Sequence, residues 1–245
     1  MIPTDVANCV LWLDASQEAY AHGAAVPTWT DRSGSANNAT QGTAANQPTF
    51  HTNIRNGLPG LLFDGTSDWM SLATSPFNIQ AGTSFAVFQA NTYTQDGTRP
   101  ARYVLGFLDA SNRRWYIQHD VSTTRFRTSV GSGAGDNGPS DLDWHVAWLR
   151  ANGNAKTSWF SCANGVRSFS DAATGTSGRT DGIGKIANGG GWQEGWGGYI
   201  SEIIHYSRSL TDGELNQVRN YLTDRWAIPN CLGSPVVGYI GTGPP

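Results

Sequence analysis

The chain has 245 residues with a formal net charge of −3, 30 glycines, ten tryptophans, 11% aromatic residues and only 14% charged residues. That length suits one large β domain, the charge content is far below the roughly 25% of an average soluble protein, and glycine with aromatics favours short strands joined by tight turns. The charge balance gives no electrostatic reason for nucleic acid or an anionic membrane as partner, no run of about 20 apolar residues is present to insert in a membrane, and the first basic residue, Arg32, comes too late for a secretion signal.

In chain order, Val10–Leu13 reads as a buried first strand ended by Asp14, Ala15 and Ser16. Residues 33–48 are polar without an apolar period and are expected as a long surface loop held by Trp29 and Phe50. Gly60–Gly65 and Trp69–Leu72 read as a hairpin across Gly65, Thr66, Ser67 and Asp68. Four alternating runs follow, Ser84–Ala90, Tyr103–Leu108, Trp115–His119 and Arg125–Val130. The densest basic group, Arg113, Arg114, Arg125 and Arg127, falls on the last two as the solvated faces of a hairpin. A Gly-rich connection, Gly131–Pro139, leads to strands Trp144–Arg150 and Thr157–Cys162 around an Asn152-Gly153 turn.

Thr211 and Glu214 have capping-box spacing, and Leu215, Val218, Leu222 and Trp226 then form one apolar stripe, predicting a helix stopped by Pro229. Residues 1–232 are expected as one domain and 233–245, rich in Gly and Pro, as an extended arm. Cys9, Cys162 and Cys231 cannot all pair in one chain, so reduced thiols are expected, with a Cys9–Cys231 clasp as the alternative.

Three blocks carry a family resemblance. The first is Leu11-Trp12-Leu13-Asp14-Ala15 with Trp29, Asp31-Arg32-Ser33-Gly34, Gly57-Leu58-Pro59 and Leu62-Phe63-Asp64-Gly65. The second is Trp144-His145-Val146-Ala147 with Asn164-Gly165, and the third is Gly198 to Tyr206 continuing through Arg208-Ser209-Leu210 into the capped helix. In order and spacing the chain resembles the concanavalin A-like lectin and glucanase superfamily, in particular its laminin G-like branch, of the kind found in phage structural proteins. The resemblance implies an all-β jelly-roll sandwich of two antiparallel sheets with one C-terminal α-helix, binding ligands at the loop rim or on a concave face.

Catalysis is not expected. The Glu-x-Asp-x-x-Glu pattern of the superfamily's retaining glucanases is absent, and Glu18, Glu194, Glu202 and Glu214 have no such spacing. Asp141 and Asp143 alternate onto one strand face but read as a solvated strand entrance. The histidines, His22, His51, His119, His145 and His205, form no zinc pattern, His145 reads as a structural hydrogen-bonding residue, and there is no Gly-x-Ser-x-Gly elbow or phosphate loop at Gly189–Gly191. Calcium is the one cofactor left open, since laminin G-like rims often hold it; Asp14, Asp31, Asp64 and Asp68 flank the relevant turns, with turn capping as their competing role.

Trp192 and Trp196, in the Gly-rich segment 189–198, are candidate ligand-binding aromatics, with plugging of the sandwich end as the competing role. Val236, Val237, Tyr239 and Ile240 are candidate docking residues, against the arm folding back as an edge strand. A lectin-like domain without an export signal meets an outside ligand if it travels on a virion released by lysis. The expected function is therefore a non-catalytic virion accessory subunit, a capsid decoration or tail-associated protein assembled in the host cytoplasm. Its expected partners are other virion proteins, itself as a homo-oligomer, and glycans. A free carbohydrate-binding lectin is the alternative, with a glycoside hydrolase behind it.

Overall fold

In the computed structural model, residues 1–72, 74–91, 101–108, 113–120, 125–131, 133–136, 138–139, 141–162, 166–172, 181–188, 191–192 and 195–229 are described, with backbone alone at 101, 108, 133–136, 187–188 and 191–192. The described strands form two stacked antiparallel sheets. The first runs Arg167–Ser170, Ala155–Phe160, Trp144–Asn152, Ala81–Ala90, Gly197–Tyr206, Leu58–Asp64, Thr49–Arg55, with Cys9–Asp14 also paired to Gly197–Tyr206. The second runs Gly133–Asp136, Arg125–Gly131, Arg114–Asp120, Ala101–Leu108, Gly182–Ile183, Met70–Leu72, Ala39–Thr40, Thr28–Trp29. A short hairpin, Ala187–Asn188 with Gly191–Trp192, lies against Ala101–Leu108.

Strand alternation divides the side chains into an inner core and an outer face. Leu61, Phe63, Phe88, Phe107, Trp115, Phe126, Phe160, Ile200 and Ile203 meet between the sheets. Phe85, Val87, Val146, Trp148, Trp159 and Ile204 point the other way from the first sheet, where the Asp212–Arg225 helix covers them with Leu215, Val218 and Leu222. Each of those three helix side chains contributes about 1.5–3 kcal/mol by leaving water. A register shift between Ile200 and Glu202 breaks the alternation of the central strand. Ile200 and Ile203 both reach the core, and Glu202 is turned out beneath the helix.

There Glu202, fully buried, accepts from Trp12 Nε1 at 2.9 Å and Tyr221 OH at 3.1 Å on one oxygen and from Trp226 Nε1 at 2.7 Å on the other. Its cross-strand partner Asp14 is also buried and meets Arg225 at 2.8 Å, while Arg225 Nε stands 3.6 Å from Glu202. Burial first, then the Asp14 charge, push the Glu202 carboxyl up to about 7 against the donors and Arg225.

The expected helix forms with both capping-box bonds, Glu214 N to Thr211 Oγ1 at 3.3 Å and Thr211 N to Glu214 Oε2 at 2.9 Å. It stops before Pro229: Ala227 takes a φ of +47° and Ile228 N bonds Thr223 O at 3.0 Å, a left-handed turn that closes the last carbonyls. The Asn152-Gly153 turn and the four middle strands also form where expected.

Other expectations are corrected. Leu58–Asp64 and Met70–Leu72 belong to different sheets, so 64–68 is a corner rather than a hairpin turn; Asp64 closes it by accepting from the backbone N–H of Thr66, Ser67 and Asp68. The segment 33–48 contains strand Ala39–Thr40, because Ala39 is buried inward and Asn37 and Gln41 bond backbone carbonyls. The connection 131–139 contains strand Gly133–Asp136. Cys162 is disulfide-bonded, which corrects the reduced state expected there, whereas Cys9 is a free thiol as expected, so no Cys9–Cys231 clasp forms. Residues 230–245, with the arm, lie outside the described residues.

Glu202→Leu strands the buried indole N–H groups of Trp12 and Trp226 at about 1–3 kcal/mol each, so its thermal midpoint is expected to fall by at least about 5 °C. Because the folded-state value for Glu202 lies above the ordinary 4.5, its stabilising contribution is complete at low pH and is lost as pH rises toward about 7; the midpoint of the wild type is expected to fall relative to Glu202→Gln across that window. Burial first, and Asp31 second, push the Cys9 thiol up to about 12, so in unreduced native protein Cys9 is expected to alkylate far more slowly than free cysteine at pH 8. Rapid alkylation contradicts that burial.

Candidate functional site

The helix covers only part of the outer face of the first sheet. Beyond its C-terminal end a row crosses five strands: Trp144 is the register partner of Gln89, Gln89 of Tyr199, Tyr199 of Leu62 and Leu62 of Thr49. All five are half-exposed, as is His51 two residues beyond Thr49 on the same face. Consecutive rings touch. Buried Trp226 lies 6.5 Å from Trp144 at 8° between planes, Trp144 5.9 Å from Tyr199 at 21°, Tyr199 5.7 Å from His51 at 71°, and His51 4.8 Å from His22 at 57°. Gln89 Nε2, within the row, donates to the carbonyls of Ala90 and Leu142 at 2.8 and 2.7 Å. Burial and the neighbouring His22 lower the His51 pKa, which favours its neutral ring.

At the Trp144 end lies a cleft of about 210 Å³ lined by Arg55, Asp141, Asp143, Trp144, His145, Cys162 and Pro229. Arg55 donates from Nε to Trp226 O at 3.0 Å and from Nη2 to Ala227 O, so its guanidinium sits on the helix C-terminus, where cations are favoured. His145 is 1% exposed. Ser161 Oγ accepts from Val146 N at 3.1 Å, leaving its hydroxyl to donate to His145 Nδ1 at 3.2 Å; Nε2 then carries the proton and donates to Asp141 Oδ1 at 2.7 Å. Burial lowers the His145 pKa, against the raising effect of Asp141, keeping the ring neutral. Asp141 Oδ1 also accepts from Asp143 N at 3.0 Å, while Oδ2 makes no hydrogen bond to the described residues. The cleft thus holds an orientated acceptor oxygen beside an aromatic floor.

Trp196, expected as a ligand-binding aromatic, is 1% exposed and packs between Phe88 at 5.5 Å and Phe126 at 6.3 Å. Of its two expected roles, ligand binding is thereby corrected and plugging of the sandwich holds, since the indole fills the core. The backbone of Trp192 lies on the 191–192 strand, and its side chain is outside the described residues, as are Val236, Val237, Tyr239 and Ile240. The calcium candidates cap turns. Asp31 accepts from the N–H of Trp12, Ser33 and Asn37, Asp14 from Ser16 N, and Asp64 holds its corner. Burial raises the Asp64 pKa, but the Ser67 hydroxyl and three backbone N–H groups outweigh it and hold the carboxyl well below the usual range. Among the described residues no three His, Cys, Asp or Glu side chains converge as a metal group. Of the basic group, Arg127 pairs with Asp120 at 2.5 Å and Arg114 bonds the Tyr116 hydroxyl at 3.2 Å.

Asp141, Asp143 and His145 were noticeable in sequence as a pair of carboxylates and a strand histidine. The row itself was not, because His51, Leu62, Gln89, Trp144 and Tyr199 come together only through strand register.

No protein-family model matches the chain, and no curated protein matches it. Among solved structures it is similar to Trypanosoma rangeli sialidase in complex with 2,3-difluoro-KDN, at 15% identity and TM-score 0.61, over 90% of this chain and 33% of that one. It is also similar to domain 4 of AbnA, an extracellular GH43 arabinanase from Geobacillus stearothermophilus, in complex with arabinotriose, at 12% identity and TM-score 0.57, over 86% of this chain and 98% of that domain. A third is the botulinum neurotoxin serotype D binding domain, at 10% identity and TM-score 0.58, over 87% of this chain and 52% of that one. The chain spans about a third of the sialidase and half of the neurotoxin structure. What is shared at these identities is the β-sandwich.

Proposed function

We propose that this chain is a non-catalytic carbohydrate-binding β-sandwich that takes a glycan across the outer face of its first sheet. The observation that carries the reading is the row of half-exposed rings beyond the helix, Trp144, Tyr199 and His51, carried on paired strands and ending in a polar cleft. Sugar rings present apolar C–H faces and hydroxyl edges, so a binding surface needs rigid aromatic area beside fixed polar groups. Both are present here, and strands hold them with little ordering left to be done on binding.

Two of the similar structures lend support from fold: AbnA domain 4 is in complex with arabinotriose, and the sialidase with a sugar-acid derivative. A non-catalytic role is supported by the carboxyls. Glu202, whose raised value is what a general acid needs, is sealed under the helix away from any substrate, and Asp141 is held by a neutral histidine. The virion setting expected from sequence draws on the missing export signal and the low-charge surface, with the 233–245 arm, outside the described residues, as its further support. The proposal therefore stops at glycan binding.

The test is a glycan array followed by calorimetry on the best-bound glycan. Trp144→Ala and Tyr199→Ala are each expected to weaken binding by at least about tenfold, as truncating a central aromatic anchor does. Wild-type affinity in both variants overturns the proposed surface, and release of reducing ends from the bound glycan overturns the non-catalytic role.

A further inference from the structure

Resting on the glycan-binding reading, we infer that the site selects uncharged saccharides, and that Asp141 reads a sugar hydroxyl through its outward oxygen. Asp141 Oδ1 is occupied by His145 Nε2 and Asp143 N, two bonds that fix the plane of the carboxylate. Its side chain is 43% exposed while that of His145 is 1% exposed, so a buried imidazole props the carboxylate from behind. Asp141 lines the cleft, and Oδ2, with no hydrogen bond to the described residues, is the acceptor it leaves for a ligand. A hydroxyl donor satisfies it; another carboxylate or a sulfate, with no proton to give, does not.

Charge points to the same class of ligand. Two carboxylates, Asp141 and Asp143, line the cleft with one guanidinium, Arg55. Arg55 is already committed to the carbonyls of Trp226 and Ala227 at the negative end of the helix, which spends much of its attraction for an anion. The remaining field is negative, so an acidic sugar meets like charge at the place where it must also be desolvated. A neutral sugar can lie on Trp144 and Tyr199 and direct a hydroxyl at Asp141, a charge-assisted bond of the stronger kind.

The experiment uses an array of arabinotriose, cellotriose and mannotriose beside trigalacturonate and 3′-sialyllactose, with affinities of wild type, Asp141→Asn, Trp144→Ala and Asp212→Asn measured at low salt. Wild type is expected to bind at least one neutral trisaccharide, with the acidic members at least about tenfold weaker. Asp141→Asn keeps an oxygen for His145 but turns a donor toward the cleft. It is expected to bind the neutral sugar at least about tenfold more weakly, the usual loss of a hydrogen bond to a charged group, with an unchanged melting curve. Asp212→Asn, which removes equal charge at the exposed helix start, is expected to bind as wild type does. Preference for the acidic members, or a wild-type affinity for the neutral sugar in Asp141→Asn, overturns this inference while loss of binding in Trp144→Ala leaves the glycan-binding surface standing. Absence of binding to every member overturns the glycan-binding reading itself.

Discussion

A carboxylate with no access to water holds the helix, the first strand and the central strand in one arrangement. Glu202 takes hydrogen bonds from Trp12, Tyr221 and Trp226, which come from the first strand, the helix and the helix end. A buried charge without such partners costs several kcal/mol, so each donor must occupy its place for the fold to be stable. The bulge beside Ser201 is part of the same constraint. Without the register shift between Ile200 and Glu202, the carboxylate would point into the apolar layer between the sheets.

The same constraint bounds the candidate site. Trp226 is fixed at its Nε1 by Glu202, and its ring lies nearly parallel to that of Trp144, the first member of the exposed row. The helix stops there because Ala227 turns left-handed, and Arg55 and Asn56 from a neighbouring strand end and turn take up the carbonyls of Arg225, Trp226 and Ala227. One more helical turn would extend the cover over the outer face. The edge of the helix's cover is therefore set by helix termination, and the aromatic surface is backed by a packed indole rather than by solvent.

Much of this fold was legible along the sequence. Period-two runs marked most of the long strands, and Thr211 with Glu214 marked the start of the helix. Legibility failed where the same local chemistry serves two geometries. Asp64, Gly65 and Asp68 make a tight turn in either a hairpin or a sheet-to-sheet corner, and only the partners of the flanking strands decide. The two-residue strand at Ala39 is too short to show a period. Trp196 sat among glycines and so looked presentable, yet glycine permits a close approach to the core as readily as exposure. Glu202 carried a usable signal: one carboxylate inside the apolar run Ile200 to Tyr206 requires buried donors, and tryptophans supply them. For the exposed row there was no such signal, because its members are separated by up to 150 positions, from Thr49 to Tyr199, and become neighbours only through register.

The two outer faces of the sandwich differ in what they leave open. On the second sheet Tyr103, Tyr116, Gln118, Asp120 and Ile186 are all at most 6% exposed, and the Ala187–Asn188 strand lies against the Ala101–Leu108 strand. Asp120 there is already matched by Arg127. That face has aromatic and charged residues of the kind a ligand needs, but its described side chains are buried, with Gln118 Oε1 left without a hydrogen bond among the described residues. On the first sheet the helix absorbs the apolar surplus around Val87, Val146 and Ile204 and leaves Trp144, Tyr199 and His51 half-exposed, with Asp141 Oδ2 making no hydrogen bond to the described residues. Composition alone would rank the two faces equally. Burial separates them, and it places the accessible recognition chemistry on the face the helix only partly covers.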